Sequence, residues 1–549
     1  MKVVRTCILL TLLTRLLPAV AIEQYHWHDF AFTGQASGNP FDVELRGEFT
    51  GPGGVQLAVP GFYDGENTWK IRFSPTAVGH WSMRTLSPIA ALNGRTETNI
   101  DCTANTNPAV HGSLLVDPVN RHHFLYEDGA RYFLMGYEAD WLWGADMKDP
   151  DRKLMKHLID QIASRGFNHL LVNVFAYDTG WSKGNVNEWD YGPPAMYVFG
   201  GSNEKPDHSR LNTAFFKVYD GMMQALHDKG IVANVMLKVY NKMVNWPAPG
   251  SHDEERYFRY ITARYQACSN VVWDFSKESY NEPDKKLEKR LIDLTRSTDA
   301  YHRLTTAHDN DIYDWDPSLN SNLDFRTDQE HRDWKEMLVF DRQLRPWPVV
   351  NSELYYERGV DNLPSYPIKQ DWQEVVRGAY EIYLSGGYFV YYYDNTAWDV
   401  VKPDPEPPGA LRLQILKKNL AGLPYWKMEP RPELAAGGPC LAIPGLVYAF
   451  YVHPTPSTRG APPAVPPNLI TAAAAPGVTH GPAAALARGS AREIVTNLTG
   501  LTGPATIEWV NTWTGDRTQD RVERPGVYQF NRPSAFGSAP ALLIVRAER

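Results

Sequence analysis

Apolar positions divide the chain into three regions of different period. Between residues 22 and 108 apolar and polar residues alternate in short runs, such as Phe41-Asp42-Val43-Glu44-Leu45 and Trp69-Lys70-Ile71-Arg72-Phe73. Gly51-Pro52-Gly53-Gly54 and Asp64-Gly65 punctuate them. Period-two runs broken by such residues predict strands and hairpins, here an N-terminal β-sandwich over 22–108. From 109 to 428 the rhythm changes. Eight short apolar runs, at 132–136, 169–174, 231–237, 270–275, 304–308, 323–326, 348–351 and 388–393, read as strands. Helical stretches such as 152–165, 214–229 and 285–303 lie between them. In the second, Phe215, Val218, Tyr219, Met222 and Leu226 recur near a 3.6 period, and Gly166 and Gly230 close the first two. Eight strand–helix alternations in about 300 residues predict a (β/α)₈ TIM barrel. No glycine-rich phosphate loop follows the first strand, which disfavours an open doubly wound sheet. After 428 the runs at 446–452, 505–510 and 541–545 predict a C-terminal β-sandwich over 429–549. An Ala/Pro/Gly-rich stretch at about 454–490 interrupts it and reads as a flexible surface insertion.

The first 21 residues break this picture. Lys2 and Arg5 precede an apolar run ending at Leu17, with Arg15 inside it, and Ala19-Val20-Ala21 follows. That layout predicts a secretory signal over 1–21 and a secreted or periplasmic chain beginning near Ile22. No later stretch approaches the ~20 apolar residues of a membrane span. Without Lys2, Arg5 and Arg15 the 55 basic residues fall to 52 against 63 acidic, a net charge of about −11. With no basic stripe, nucleic acid is not an expected partner. Cys7 leaves with the signal. Cys102, Cys268 and Cys440 are too few and too widely spaced for a disulfide framework or a CxxC metal site, and at most one bridge could form.

Candidate chemistry follows from the barrel, whose active sites form at the carboxyl ends of the strands. Trp273-Asp274-Phe275-Ser276-Lys277-Glu278 ends the fourth strand, and Asn351-Ser352-Glu353 ends the seventh. Two glutamates facing each other across the mouth are what glycosidic-bond hydrolysis requires: one protonates the leaving oxygen, the other attacks the anomeric carbon. The 17 Trp, 29 Tyr and 21 Phe add flat, polar-edged faces suited to sugars.

The Trp-x-x-x-Lys-Glu stretch resembles clan-A retaining glycoside hydrolases, whose fourth strand commonly ends Trp-x-x-x-Asn-Glu. The resemblance implies Glu278 as acid/base and Glu353 as nucleophile. It also shows Lys277 where an Asn normally holds the sugar 2-hydroxyl. Glu282, in Asn281-Glu282-Pro283, copies the family string but lies four residues beyond the family's register, and Glu357 is the near rival of Glu353. The opening 132–136 with Asp140-Trp141, the stretch 273–278 and the tail Glu508-Trp509-Val510-Asn511-Thr512-Trp513-Thr514-Gly515 further resemble the apiosidase-like hydrolases. These carry an N-terminal β-domain, a barrel and a C-terminal sandwich labelled collagen-binding. The resemblance implies a plant or microbial glycan as substrate.

Further candidate sugar contacts at the strand ends are Tyr137, Asp140, Trp141, Asn173, Tyr177, Lys238, Asn241, Lys277, His308, Gln329, His331, Tyr356, Tyr393, Asp394 and Trp398. His308 or Tyr356 is expected to hydrogen-bond Glu353 and keep it ionised, while burial keeps Glu278 protonated. Lys277 is expected to point away or to contact substrate. The loop 178–210, with Trp181, Trp189, Tyr191 and Tyr197, is expected to wall the site. No cofactor or metal is expected: HExxH and GxSxG are missing. The cluster Asp309, Asp311, Asp314 and Asp316 lacks the glycine of a Ca²⁺ loop and reads as solvated. The rival reading is a catalytically inactive glycan- or collagen-binding protein. The sugar, linkage and oligomeric state stay open.

Overall fold

The computed structural model describes residues 20–148, 151–178, 183, 187–240, 242–309, 322–361, 363, 368–454 and 493–548. The expected signal up to residue 19, Trp181, Asn241, Asp311, Asp314, Asp316 and all but residue 454 of the expected insertion lie outside them. The chain forms two compact units, Met1–Thr106 and Asn107–Arg549.

The first unit holds a five-stranded sheet, in the order Val20–Glu23, Thr96–Thr103, Gly79–Leu86, Arg46–Thr50, Gln56–Pro60. A three-stranded sheet of His28–Thr33, Thr68–Phe73 and Phe62–Gly65 packs on it. Phe49 of one sheet stacks on Phe73 of the other at 3.8 Å, with Trp69 and Trp81 fully buried nearby. The expected strand at 41–45 is instead a 3₁₀ turn, Pro40–Asp42, and irregular chain. Asn39 accepts from the Phe41 amide at 3.1 Å, and the proline ring sets the first turn, overriding the alternating pattern.

The second unit is built on nine parallel strands forming a nearly closed barrel: β1 (Gly136–Glu138), β2 (His169–Asn173), β3 (Val232–Val239), β4 (Val271–Lys277), β5 (Thr305–Thr306), β6 (His308–Asp309), β7 (Arg326–Asp328), β8 (Val349–Asn351) and β9 (Tyr388–Tyr393). Their order is β5-β4-β3-β2-β1-β9-β8-β7-β6, so the two ends are consecutive strands separated by Ala307. Eight helices of this unit are α1 (Leu142–Lys148), α2 (Lys153–Ser164), α3 (Thr213–Asp228), α4 (His252–Tyr265), α5 (Lys285–Thr298), α6 (Trp334–Leu344), α7 (Trp372–Leu384) and α8 (Pro408–Leu420). The predicted glycine stops hold: Gly166 and Gly230 have φ of 83° and 65°. α5 ends five residues early. Asp299 leaves the helix and accepts from the Tyr301 and Arg303 amides and the Trp273 indole, fixing a turn.

Three strands depart from expectation in ways that matter. Tyr132 pairs with Phe124 in a small antiparallel sheet, so the first barrel strand begins only at Gly136. Gly136 is needed there, because a Cβ would meet Val390 Cγ2 at 2.6 Å. β4 ends two residues later than expected, at Lys277. The sixth expected strand, at 323–326, is displaced to Arg326–Asp328, with Arg326 buried among Asp309, Asp328 and Asp341.

The C-terminal part of this unit has a six-stranded sheet, from Glu429–Pro430 through Cys440–Ile443, Val447–Val452, Ala541–Ala547 and Ala505–Asn511 to Arg517–Val522. A three-stranded sheet of Ala435–Ala436, Glu493–Asn497 and Val527–Asn531 completes it. Phe450, Ile494, Trp509 and Leu543 form its core. All three runs expected there are strands. Tyr451 stacks on Tyr380 of α7 at 4.9 Å, fastening these sheets to the barrel.

Candidate active site

The barrel interior is polar where its strands end. On β4, Asp274 accepts from Asn234 Nδ2 of β3 at 2.9 Å and from the His308 amide at 3.0 Å. That places the His308 ring beneath the mouth. Burial pushes Asp274 up to about 7.

Glu353 lies two residues past β8 and is 3% exposed. Its Oε1 accepts a short hydrogen bond from the Tyr356 hydroxyl. Its Oε2 stands 3.4 Å from Lys277 Nζ and 3.9 Å from His308 Nε2. That oxygen accepts no hydrogen bond among the described residues. Burial alone would neutralise Glu353, but Lys277, His331, His308 and the Tyr356 hydroxyl outweigh it and hold the carboxyl below its ordinary range. His308 itself is pushed down to about 4 by burial and by Lys277, so it is neutral at pH 7. Its Nε2 faces Gln329 Oε1 at 3.0 Å and Ser352 Oγ at 3.1 Å.

Lys277 corrects one expectation. It belongs to β4 rather than to the following loop, and its ammonium reaches the carboxylates at the barrel mouth. Its ammonium is ion-paired with Glu138 and lies 3.4 Å from Asp140 Oδ2. All of these side chains are essentially inaccessible. Burial and the neighbouring Asp140 and Glu353 charges push Glu138 well above the usual carboxylate range, although Lys277 opposes them. Asp140 resists the same burial and falls below that range, because Lys277, Glu138 and the Tyr392 hydroxyl, 2.5 Å away, favour its anion.

Glu278 follows Lys277 directly and adopts a left-handed backbone, φ 56°. The turn leaves its carboxyl half-buried, with Asn281 Nδ2 donating to Oε2 at 3.2 Å. Burial and the Glu353 charge push it up, with Lys277 and Lys242 opposing. The two rival glutamates have other partners. Glu282 accepts from the Tyr240 hydroxyl and, at 2.9 Å, from the Asp284 amide at the start of α5. Glu357 accepts from the Tyr391 hydroxyl at 2.7 Å and from the Gly409 amide of α8 at 3.0 Å, so it faces the helix layer.

Of the other expected contacts, Asp140, His308, Gln329, His331, Tyr356 and Trp398 gather around Glu353. His331 Nδ1 is tied to the Leu354 carbonyl at 2.9 Å, and Trp398 meets the Tyr356 ring edge-on at 6.0 Å. Asn173, at the end of β2, is buried, and neither atom of its carboxamide has a partner among the described residues. The same holds for the indole nitrogen of Trp141, which stacks on Trp143 at 5.0 Å. Five residues lie elsewhere. Tyr137 alternates with Glu138 along β1, so it faces outward and packs against Phe167 and Tyr391. Lys238 pairs with Glu254 of α4 at 2.7 Å. Tyr177 donates to Glu204 at the surface, at 2.8 Å. Asp394 lies 3.8 Å from Lys369, with Tyr393 beside Val360. Of the loop expected to wall the site, Trp189 packs on Leu363 and Val400, and Asp190 forms a β-bridge with Val400. Glu138, Ser352, Tyr392 and Lys242 were missed. Only Glu138 left a trace, the Glu-x-Asp spacing that puts two carboxylates on one side of an extended segment.

Among the described residues, no group of three or more His, Cys, Asp or Glu side chains could hold a metal, and no helix is long and apolar enough to cross a membrane. No curated protein matches the chain. Among solved structures, it is similar to a Bacteroides vulgatus protein described as a candidate glycoside hydrolase, with TM-score 0.70 and 20% identity, covering 96% of this chain and 99% of that one. A family 5 glycoside hydrolase of Bacteroides vulgatus matches with TM-score 0.57 and 15% identity, over 80% of this chain and 93% of that one. Residues 21–88 match a domain family of unknown function, DUF5060. Residues 119–429, more than half of the chain and the whole of the barrel, match the family described as "Apiosidase-like, catalytic domain". The chain therefore belongs to the apiosidase-like family and is a glycoside hydrolase.

Proposed function

We propose that this chain is a secreted enzyme that hydrolyses O-glycosidic bonds of a plant or microbial polysaccharide or oligosaccharide with retention of configuration. Glu353 attacks the anomeric carbon through Oε2, and Glu278 protonates the leaving oxygen and then activates water. The observation carrying this reading is that the site pushes the two carboxyls in opposite directions. Lys277, His331, His308 and the Tyr356 hydroxyl outweigh burial and hold Glu353 below its ordinary range, while burial and the Glu353 charge push Glu278 above its own, the directions a nucleophile and an acid require. Asp140, Trp141, Asn173 and Trp398 are proposed as sugar contacts. The buried Asn173 carboxamide and Trp141 indole, without partners among the described residues, would otherwise be left costly in a dry site. We read β5 and β6 as one strand interrupted at Ala307, which makes the barrel (β/α)₈. Secretion rests on the charged and apolar layout of residues 1–21.

The test is turnover of a glycan and aryl-glycoside panel by wild type, Glu278→Gln and Glu353→Gln, with the product anomer followed by NMR. Glu353→Gln should abolish turnover. Glu278→Gln should lose about 10²- to 10⁴-fold on unactivated glycans and less on aryl glycosides with good leaving groups. The first-formed anomer should be the substrate's own. Unchanged turnover in both variants would sink the assignment, and an inverted anomer would sink retention.

A further inference from the structure

We propose that Lys277 is a positioning residue: its buried ammonium, shared by Glu138, Asp140 and Glu353, is the fixed cation that keeps Glu353 Oε2 ionised while leaving that oxygen free of hydrogen bonds. This rests on Glu353 being the nucleophile.

Two requirements conflict at this oxygen. A fully buried carboxylate takes up a proton unless cations or donors compensate it. Donors to the attacking oxygen would stabilise the anion, but they would have to be broken as the bond to carbon forms. Here the two tasks are divided between the oxygens. Oε1 takes the Tyr356 hydroxyl, and Oε2 takes none among the described residues. What faces Oε2 is a charge at 3.4 Å.

The groups around this oxygen come from every element that packs here. β1 and its end supply Glu138 and Asp140, β4 and its end supply Lys277 and Glu278, and β6 supplies His308. His331 and Tyr356 lie beyond β7 and β8, and β9 supplies Tyr392, whose ring lies 5.2 Å from the Lys277 nitrogen. His308 is neutral at pH 7, and Lys242 is paired with Asp178 at 2.8 Å. Lys277 is thus the permanent cation in contact with Glu353.

Glu138 and Asp140 have the complementary role. They hold the ammonium through contacts of their own, so its place beside Glu353 is set before substrate arrives. An Asn at this position could donate to a sugar hydroxyl but could not carry charge. The Lys therefore changes the job of the position from reading substrate to fixing the nucleophile.

The experiment compares Lys277→Met, Lys277→Gln and Lys277→Arg with wild type, using the p-nitrophenyl glycoside that wild type turns over fastest. kcat/KM is measured against pH. In the Met and Gln variants the acidic limb should move up by about one to three pH units, and in Lys277→Arg it should stay near wild type. The Gln variant keeps a polar group in place and guards against a folding failure of the Met variant. In parallel, a thermal-unfolding cycle of Lys277→Gln with Glu353→Gln reads the pairing without substrate. The lysine change should destabilise less when residue 353 is already neutral. An unmoved acidic limb, or additive unfolding effects, would overturn the inference. Turnover surviving in Glu353→Gln would instead overturn the proposed function itself, a result distinct from an unmoved limb.

Discussion

Replacing Tyr356 with Phe removes one hydroxyl and little else. The ring is buried, edge-on to Tyr392 with centroids 4.3 Å apart, and this packing survives in the variant. What is lost is a hydrogen bond donated to Glu353 Oε1 in a fully buried site. A hydrogen bond to a charged group contributes about 1.5–3 kcal/mol. At about 1.4 kcal/mol per pH unit, that corresponds to a rise of about one to two units in the Glu353 pKa. The sign follows from the direction of the shift. Glu353 is held below its unfolded value, so its contribution to stability is present above the unfolded pKa and is lost as pH falls through the folded one. Tyr356→Phe brings the folded value back up. It should lower stability at neutral pH and move the acidic limb of kcat/KM to higher pH. If the same donor also stabilises the oxygen during attack, kcat/KM at the optimum should fall by about 10- to 100-fold. The assay is a kcat/KM–pH profile of both proteins, with Tm measured in the same buffers. An acidic limb within about 0.3 units of wild type, together with a rate within about twofold, would refute the reasoning.

Two further outcomes test how the buried charges are divided. Glu282→Ala removes the acceptor of the Tyr240 hydroxyl and of the Asp284 amide at the start of α5. It should cost about 1–3 kcal/mol of stability, read by denaturant unfolding, with kcat/KM within a few-fold of wild type; loss of turnover in a folded Glu282→Ala protein would move the acid role to that residue. Arg326→Met strips the cation from Asp309, Asp328 and Asp341 and should cost about 3–5 kcal/mol, seen by calorimetry as a marked drop in Tm at pH 7; an unchanged Tm would show that these carboxyls need no counter-charge.

Much of the architecture was legible because it follows from short-range rules. Helix stops at Gly166 and Gly230 need only a left-handed residue, and β9 reads plainly as an apolar aromatic run. The failures share a cause. The run at 132–136 is apolar enough for a barrel strand, but Tyr132 is claimed by Phe124, and the barrel starts only where Gly136 lets Val390 approach. The pattern at 41–45 alternates correctly, but Asn39-Pro40 sets a turn first. That Glu278 and Glu353 stand at strand ends was readable from the order of the apolar runs. Tyr137 and Lys238 were misplaced because β1 and β3 each end two residues later than their apolar runs, at Glu138 and Val239, so both residues lie inside a strand, against Phe167 and Glu254, rather than past its end.

What the sequence by itself determined is the rhythm: three regions, a run of barrel strands, and one glutamate at the end of the fourth and one at the end of the seventh. Periodicity and strand-end chemistry are local, so they survive without coordinates. Only the tertiary structure decided which side each side chain faces and how protons are distributed. Lys277 looked like a loop residue beside an acid. In the barrel it is a buried cation between Glu138, Asp140 and Glu353. Glu138 and Glu353 lie 215 positions apart in the chain, yet they share that one ammonium. The ionisation of Glu353 depends on Coulomb energy in a site closed to water, and that energy is set by distances across the barrel that no sequence spacing encodes.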